Sequence, residues 1–523
     1  MHKTSSFQNE NTLVISGSHL DAKALYQASH QISTRFELAP EARNKMQKSR
    51  DYIQGRIDSG EVMYGVNTGF GAFSSVRISD QEIEQLQRNL IRSHSMGVGE
   101  PFTKVQSRAM MILRANALAN GHSGIRPEVV LKILEFLNHD IVPVIPSQGS
   151  VGASGDLAPL SHLALALIGE GEVWGEGEKI TPVVDVLKRK NIQPLELKAK
   201  EGLSLINGCQ VMTAVGLLSL WEARALLLQA DVAGAMSLEG LRGSRKAFDP
   251  LISAARPHEG ESKTAKNLMR ILGEMSEIGQ SHLEDDHRVQ DAYSLRCMPA
   301  VHGSAKKAIQ FAIEVLEVEA NSSTDNPLVF ADENKVLSCG NFHGMPVAHA
   351  MDFASIALAS QASISECRIS KMISTQMSEL PPFLTPKGGL NSGHMIVQVA
   401  AASLVSENKV LSHPASVDSI PTSAEKEDHV SMGTIAARKF TQILRNAENV
   451  IAMELLSSAQ ALDLVAPLKP AAGVKVAYEC IRSAVPFASE DRIFAHDVKN
   501  ILELVKSRKI LNQVEAQVGN LEF

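Results

Sequence analysis

The chain has 523 residues, 44% of them hydrophobic and 21% charged, a balance that buries a large core and is long enough for about three domains. A net charge of −7 excludes the basic footprint of a nucleic-acid or anionic-membrane partner. The cysteines (Cys209, Cys297, Cys339, Cys367 and Cys480) are odd in number and share no Cys-x-x-Cys or Cys/His spacing, which argues against a zinc site or a disulfide framework and for the reducing cytoplasm.

The N-terminal "MHKTSSFQNENTLVISG" lacks the apolar core of a signal peptide. Aromatics are only 4% while Ala, Leu, Ser and Met abound, a composition that favours helices over sheets. Residues 80–96, 103–120 and 126–138 read as amphipathic helices. The first opens after Ser79-Asp80, with Glu82 and Glu84 in the turn where acids suit the helix dipole. Alternation and glycines in "GEVWGEGEKITPV" (171–183) predict a short hairpin.

Beyond residue 204 long helices are predicted at 206–239, 302–320, 346–376, 393–411 and 429–464. Ile309, Ala312, Ile313 and Leu316 form a buried stripe, as do Phe440, Ile443, Leu444, Ala447 and Ile451. Helices of about 30 residues span about 45 Å, so the expected fold is mainly α: an elongated bundle of long helices with a smaller mixed N-terminal region. The expected division is 1–205, 206–465 and 466–523, with the glycine-rich loop described next in the first part. The longest apolar run, "MTAVGLLSLW" (212–221), meets Glu222 and Arg224 and reads as too short to span a bilayer.

Two glycine-rich stretches raise the question of chemistry. "YGVNTGFG" (64–71) lacks both the Gly-Lys-Ser/Thr ending and the Gly-x-Gly-x-x-Gly spacing of nucleotide loops. "GSVGASGDLAPLSH" (149–162) is not a nucleophile elbow, because Asp156 stands where its second glycine belongs. A serine hydrolase built on Ser154 would also need a His and an acid within reach, which spacing does not reveal. A different chemistry is open to Ala153-Ser154-Gly155. In a tightly bent chain the Gly155 nitrogen can attack the Ala153 carbonyl carbon, since glycine allows the dihedrals and the close approach. Loss of water from that ring and from the Ser154 side chain leaves a methylidene-imidazolone, an electrophilic alkene made from protein alone. Gly152 and Pro159 favour the bend, and Asp156 is placed to assist proton transfer. The tripeptide by itself is common and usually inert, so at this point both chemistries stand open.

Further motifs accompany these two: "NLIRSHSMGVGEP" (89–101), "EGLSLINGCQ" (201–210), "VQDAYSLRC" (289–297), "DNPLVF" (325–330), "GGLNSGHMI" (388–396) and "EDHVSMG" (427–433). Together, over residues 60 to 465, they resemble the aromatic amino acid ammonia-lyase family. The resemblance implies a carbon–nitrogen lyase whose cofactor is a 4-methylidene-imidazol-5-one formed from Ala153, Ser154 and Gly155, with no metal or external cofactor. It implies Tyr64 as the base. An ordinary tyrosine titrates near 10, so lowering it to neutrality needs about 4 kcal/mol of preference for the phenolate. It further implies Arg296 as the holder of the substrate carboxylate, a task suited to its planar fork. Asn207 and Tyr293 are implied beside the carboxylate and the prosthetic group, with Asn207 donating to the imidazolone oxygen, and Gln290 and Phe342 as further pocket residues.

His94 and Glu427 are implied to face the substrate side chain. Ser93-His94, and "VDSIPTSA" leading into Glu427, resemble the histidine-specific members, so the expected reaction is removal of ammonia from L-histidine to give urocanate. A phenyl ring would leave Glu427 unpaired. Elimination from L-tyrosine to coumarate is the alternative, followed by an aromatic 2,3-aminomutase and, from another class, the Ser154 hydrolase. The chain departs from the histidine-specific pattern at two places: Glu425-Lys426 replaces the usual Asn-Gln, and Cys209 replaces the usual Thr. The resemblance also implies a cytoplasmic homotetramer whose active sites draw loops from more than one subunit.

Overall fold

The computed structural model describes residues 7–9, 11–63, 65–68, 82–283 and 289–523. It is mainly α, with long helices and few strands, as the helix-spaced apolar residues require. Helices Ile83–His94, Lys104–Ala119 and Pro127–Asn138 match the first three expected. The helix start expected at Ser79-Asp80 lies outside the described residues. The hairpin at 171–183 is present as Glu172–Trp174 paired antiparallel with Ile180–Pro182. Gln210–Gly240, Met298–Ala320, Met345–Ile373, Met395–Leu411 and Gly433–Leu464 cover the five long segments.

Helix Gln210–Gly240 runs through Glu222 and Arg224, as the expected 206–239 does, and its 31 residues are long and apolar enough to cross a membrane. Within the protein, however, 83% of its apolar window is buried. A helix apolar on all sides and enclosed by protein is a core helix.

The chain packs as two units, each gathered from separate stretches: 1–221, 312–352 and 414–438 in the first, and 222–311, 353–413 and 439–523 in the second. In the first unit Thr103 and Gln106 form a reciprocal capping box ahead of helix Lys104–Ala119. Every residue of that helix from Ser107 to Ala119 is buried, so neighbours enclose it on all sides. Helices Ala22–His30 and Pro127–Asn138 pack on it, and strands Thr12–Ile15 and Arg35–Leu38 pair in parallel nearby. An antiparallel pair, Val98–Pro101 with Pro146–Gln148, delivers the chain to Gly149 and the glycine-rich loop.

In the second unit helices Glu259–Leu272, Ala472–Arg482 and Lys509–Val518 pack together. Its interior also holds paired charges. Asp231 accepts from His302 Nδ1 at 2.9 Å and Asn267 Nδ2 at 2.8 Å and pairs with Lys306, while Arg368 pairs with Glu454. Burial works against charge on Asp231, yet Lys306 and His302 outweigh it and hold the carboxyl below its ordinary range.

Candidate active site

The loop from Gly149 to Asp156 is bent by glycines that nothing larger could replace. Gly155 has φ +71°, and a Cβ there would lie 2.2 Å from the Gly208 carbonyl oxygen. At Gly152, φ +70°, a Cβ would meet Ser431 Oγ at the same distance. Segment 430–432 clamps the loop: Met432 N donates to Val151 O at 2.9 Å and Ser431 Oγ to Gly152 O at 3.2 Å. Ala153 packs against Val430 and Met432.

Asp156 anchors the far end. Its backbone N–H donates to Gly208 O at 2.8 Å. Its carboxylate accepts from the N–H groups of Val211 and Met212, at 3.0 and 2.9 Å, in the first turn of helix Gln210–Gly240. Ser150 and Thr434 also donate to it. Burial pushes the Asp156 carboxyl above its ordinary range, and these four donors pull against that shift. An anion at the helix start is also favoured by the helix dipole. The tripeptide 153–155 is thereby held between two fixed walls, segment 430–432 and Gly208.

Ser154 Oγ donates to Glu427 Oε1 at 3.0 Å. Thr422 Oγ1 donates to the other carboxylate oxygen, Oε2, at 2.7 Å. Backbone bonds between Thr422 and Glu427 close the intervening turn, in which Ser423, Ala424 and Glu425 all have positive φ. The unusual Glu425-Lys426 pair lies on this turn with both residues exposed.

His94 ends helix Ile83–His94, with Nδ1 2.9 Å from Leu90 O. Burial pushes the imidazole below its ordinary value, partly opposed by the bond to Leu90 and the charge of Glu427. It is therefore neutral at pH 7. With its proton on Nδ1 for Leu90, Nε2 is left as an acceptor.

Asn207 precedes Gly208 and is 2% exposed. Its Nδ2 lies 3.2 Å from Asp325 Oδ1 and 3.3 Å from Asn326 O, so both amide hydrogens are engaged. Among the described residues, Asn207 Oδ1 has no partner.

Cys209 accounts for the second departure from the usual pattern. Its buried thiol donates to the Phe342 carbonyl at 3.0 Å, as a threonine hydroxyl would. Burial and the nearby acids Glu319 and Asp156 raise it well above the usual thiol range, so it stays protonated. Glu319 is itself pushed up to about 7, chiefly by burial, with the Cys209 thiol pulling the other way and Asp156 adding to the rise. Starting from an ordinary 4.5, the folded chain holds this proton over a window in which the unfolded chain has lost it. This contribution to stability is therefore complete below about pH 4.5 and is lost as pH rises toward 7, by at most about 3 kcal/mol. Glu319→Gln is expected to flatten the pH dependence of the urea midpoint across that window; an unchanged slope would refute the assignment.

Gln290, Tyr293 and Arg296 belong to the second unit. Gln290 and Tyr293 are exposed, and Arg296 lies with its guanidinium 4.6 Å from the centre of the Tyr293 ring while Nε donates to Asp291 O at 3.1 Å. Tyr64 lies outside the described residues. Among the described residues no three His, Cys, Asp or Glu side chains are arranged to hold a metal ion.

The sequence pattern of the family described as aromatic amino acid lyase matches residues 20–483. The chain belongs to the aromatic amino acid lyase family. It is similar to a histidine ammonia-lyase of Sorangium cellulosum (strain So ce56), 52% identical over 493 residues that cover 92% of this chain and 95% of that one. A crystal structure of histidine ammonia-lyase from Trypanosoma cruzi superposes with a TM-score of 0.90 at 42% identity, covering 97% of this chain and 96% of that one. Tyrosine aminomutase from Streptomyces globisporus superposes equally well, TM-score 0.92 at 35% identity over 97% and 99% of the two chains. Lyases and mutases of this family thus share one fold, and only the side chains of the site can separate them.

Three residues of this site escaped the reading of the sequence: Thr422 behind Glu427, and Asp325 and Lys200 behind Asn207. Thr422 and Asp325 lie inside the quoted motifs "VDSIPTSA" and "DNPLVF", but nothing in either motif shows which side chain they hold.

Proposed function

We propose that this aromatic amino acid lyase is a histidine ammonia-lyase, which eliminates ammonia from L-histidine to give urocanate. The observation that carries the substrate is the polar pair at the far side of Ser154. Glu427 is a two-oxygen acceptor with Oε2 tied to Thr422, and His94 is neutral with Nε2 open. An imidazole carries an N–H that donates to this acceptor pair; a phenyl ring would leave the carboxylate desolvated and unsatisfied. The 52% identity to a histidine ammonia-lyase supports the same reading.

The residues fit the family's prosthetic group. Gly155 has no Cβ where one would strike Gly208, and the loop is pinned on both sides of the tripeptide. A 4-methylidene-imidazol-5-one formed from Ala153, Ser154 and Gly155 supplies an electrophilic double bond that activates the substrate nitrogen for departure. Maturation removes the Ser154 hydroxyl and so frees Glu427 Oε1 to receive the substrate imidazole N–H. Tyr64 takes the β-proton, Arg296 holds the carboxylate in a two-donor fork, and Tyr293, Gln290 and Phe342 complete the pocket.

The protein acts as a homotetramer whose active sites draw loops from more than one subunit, in the cytoplasm. Five free cysteines suit a reducing compartment. Phe353 and Ile356 stand one turn apart on helix Met345–Ile373 and are 51% and 49% exposed, and Ile396 on helix Met395–Leu411 is 64% exposed. Large apolar side chains exposed in this way are available to a surface that associates. Phe353→Asp combined with Ile396→Asp is expected to lower the mass measured by light scattering from four chains to fewer; a persisting tetramer would refute the assignment of these residues to the assembly.

Incubation with L-histidine is expected to produce the ultraviolet absorbance of urocanate, and the intact protein is expected to weigh two waters less than its sequence. Coumarate from L-tyrosine without urocanate from L-histidine would overturn the substrate, and an unaltered mass in active protein would overturn the chemistry.

A further inference from the structure

Behind Asn207 lies a buried ion pair that no step so far employs. Lys200 is 0% exposed and Asp325 1%, and Lys200 Nζ lies 3.0 Å from Asp325 Oδ2. Ser204 bridges them, accepting from Lys200 and donating to Asp325, each at 3.0 Å. The other carboxylate oxygen of Asp325 receives the Asn326 N–H at 2.7 Å and Asn207 Nδ2 at 3.2 Å. Arg114, wholly buried, donates to the Asn207 backbone carbonyl at 3.1 Å. Burial alone would raise the Asp325 carboxyl, but Lys200 and Arg114 outweigh it and keep it below its ordinary range.

An ionised carboxylate only accepts hydrogen bonds, so it dictates which end of a neighbouring amide turns toward it. The NH2 end of Asn207 must face Asp325, and Oδ1 must face the other way. A buried carbonyl left without a donor is destabilising, and a bound N–H would relieve that. We propose that Asp325, paired with Lys200, is a positioning residue that fixes the Asn207 amide with Oδ1 presented as an acceptor for the substrate's amino group. Asn207 then holds the nitrogen that is to depart, and the ion pair acts only through it. This inference rests on the proposed reaction and on the place of Asn207 in its site.

The test uses the full-length enzyme and two variants, Asp325→Asn and the double change Lys200→Met with Asp325→Asn, which removes both buried charges together. Intact mass and thermal melting establish that each variant folds and loses two waters. The probes are L-histidine and 3-(imidazol-4-yl)propionate, which is histidine without its amino group. kcat/KM for L-histidine is expected to fall at least thirtyfold, while the inhibition constant of the propionate changes less than threefold. Equal weakening of both, or undiminished turnover, in either folded variant would overturn the inference and leave the proposed reaction standing. Wild-type enzyme that binds the propionate but does not turn over L-histidine would overturn the proposed reaction and this inference with it.

Discussion

Ser154→Ala is expected to reduce turnover of L-histidine by a factor of 1,000 or more while leaving the fold intact. Alanine cannot lose a side-chain water, so no exocyclic double bond can form from residues 153–155, and the amine departs without activation. A thousandfold loss corresponds to about 4 kcal/mol of barrier. The structural consequence is small. Ser154 Oγ donates to Glu427 Oε1 only before maturation, which removes this hydroxyl, so alanine costs the working enzyme no hydrogen bond there. Intact mass spectrometry and turnover therefore report the same event from two sides. Wild-type activity in Ser154→Ala would end the proposal.

Glu427→Gln is expected to cost a factor of 100 to 10,000 in kcat/KM for L-histidine, the range associated with a site that discriminates by hydrogen bonds to a substrate N–H. Glutamine keeps the size of the side chain and loses one acceptor oxygen along with the charge. With its carbonyl toward Thr422, where Thr422 now donates to Oε2, the glutamine turns its NH2 to the substrate, the wrong polarity for an imidazole N–H; in the opposite orientation the remaining acceptor is neutral and weaker than the carboxylate. The ratio of activity on L-histidine to activity on L-tyrosine is expected to fall with it. A Glu427→Gln enzyme that discriminates as well as the wild type would show that specificity resides elsewhere.

Much of this site is legible in the chain itself. Ala153-Ser154-Gly155 announces its chemistry through the absence of bulk and the glycine that allows the bend, and both reappear as the positive φ and close contact at Gly155. His94 and Glu427 are polar residues within recurring motifs, and charge coupling between them appears in the fold. The two departures find local reasons. Glu425-Lys426 lies on an exposed turn, and Cys209 does the work of a hydroxyl donor.

Helix positions are written in the sequence because burial of one face repeats every 3.6 residues, and that period can be read from neighbours alone. For the same reason the long helices emerge close to their expected ends. Whether an apolar run is enclosed by protein or by lipid is not periodic information, and for Gln210–Gly240 only the packing decides it. The partners that orient Asn207 and Glu427 are likewise tertiary. Lys200 and Asp325 stand 125 residues apart, and Ser154 and Glu427 273 apart. A hydrogen bond depends on distance and direction to within a few tenths of an ångström, and chain segments this remote acquire both only when the loops that carry them are packed.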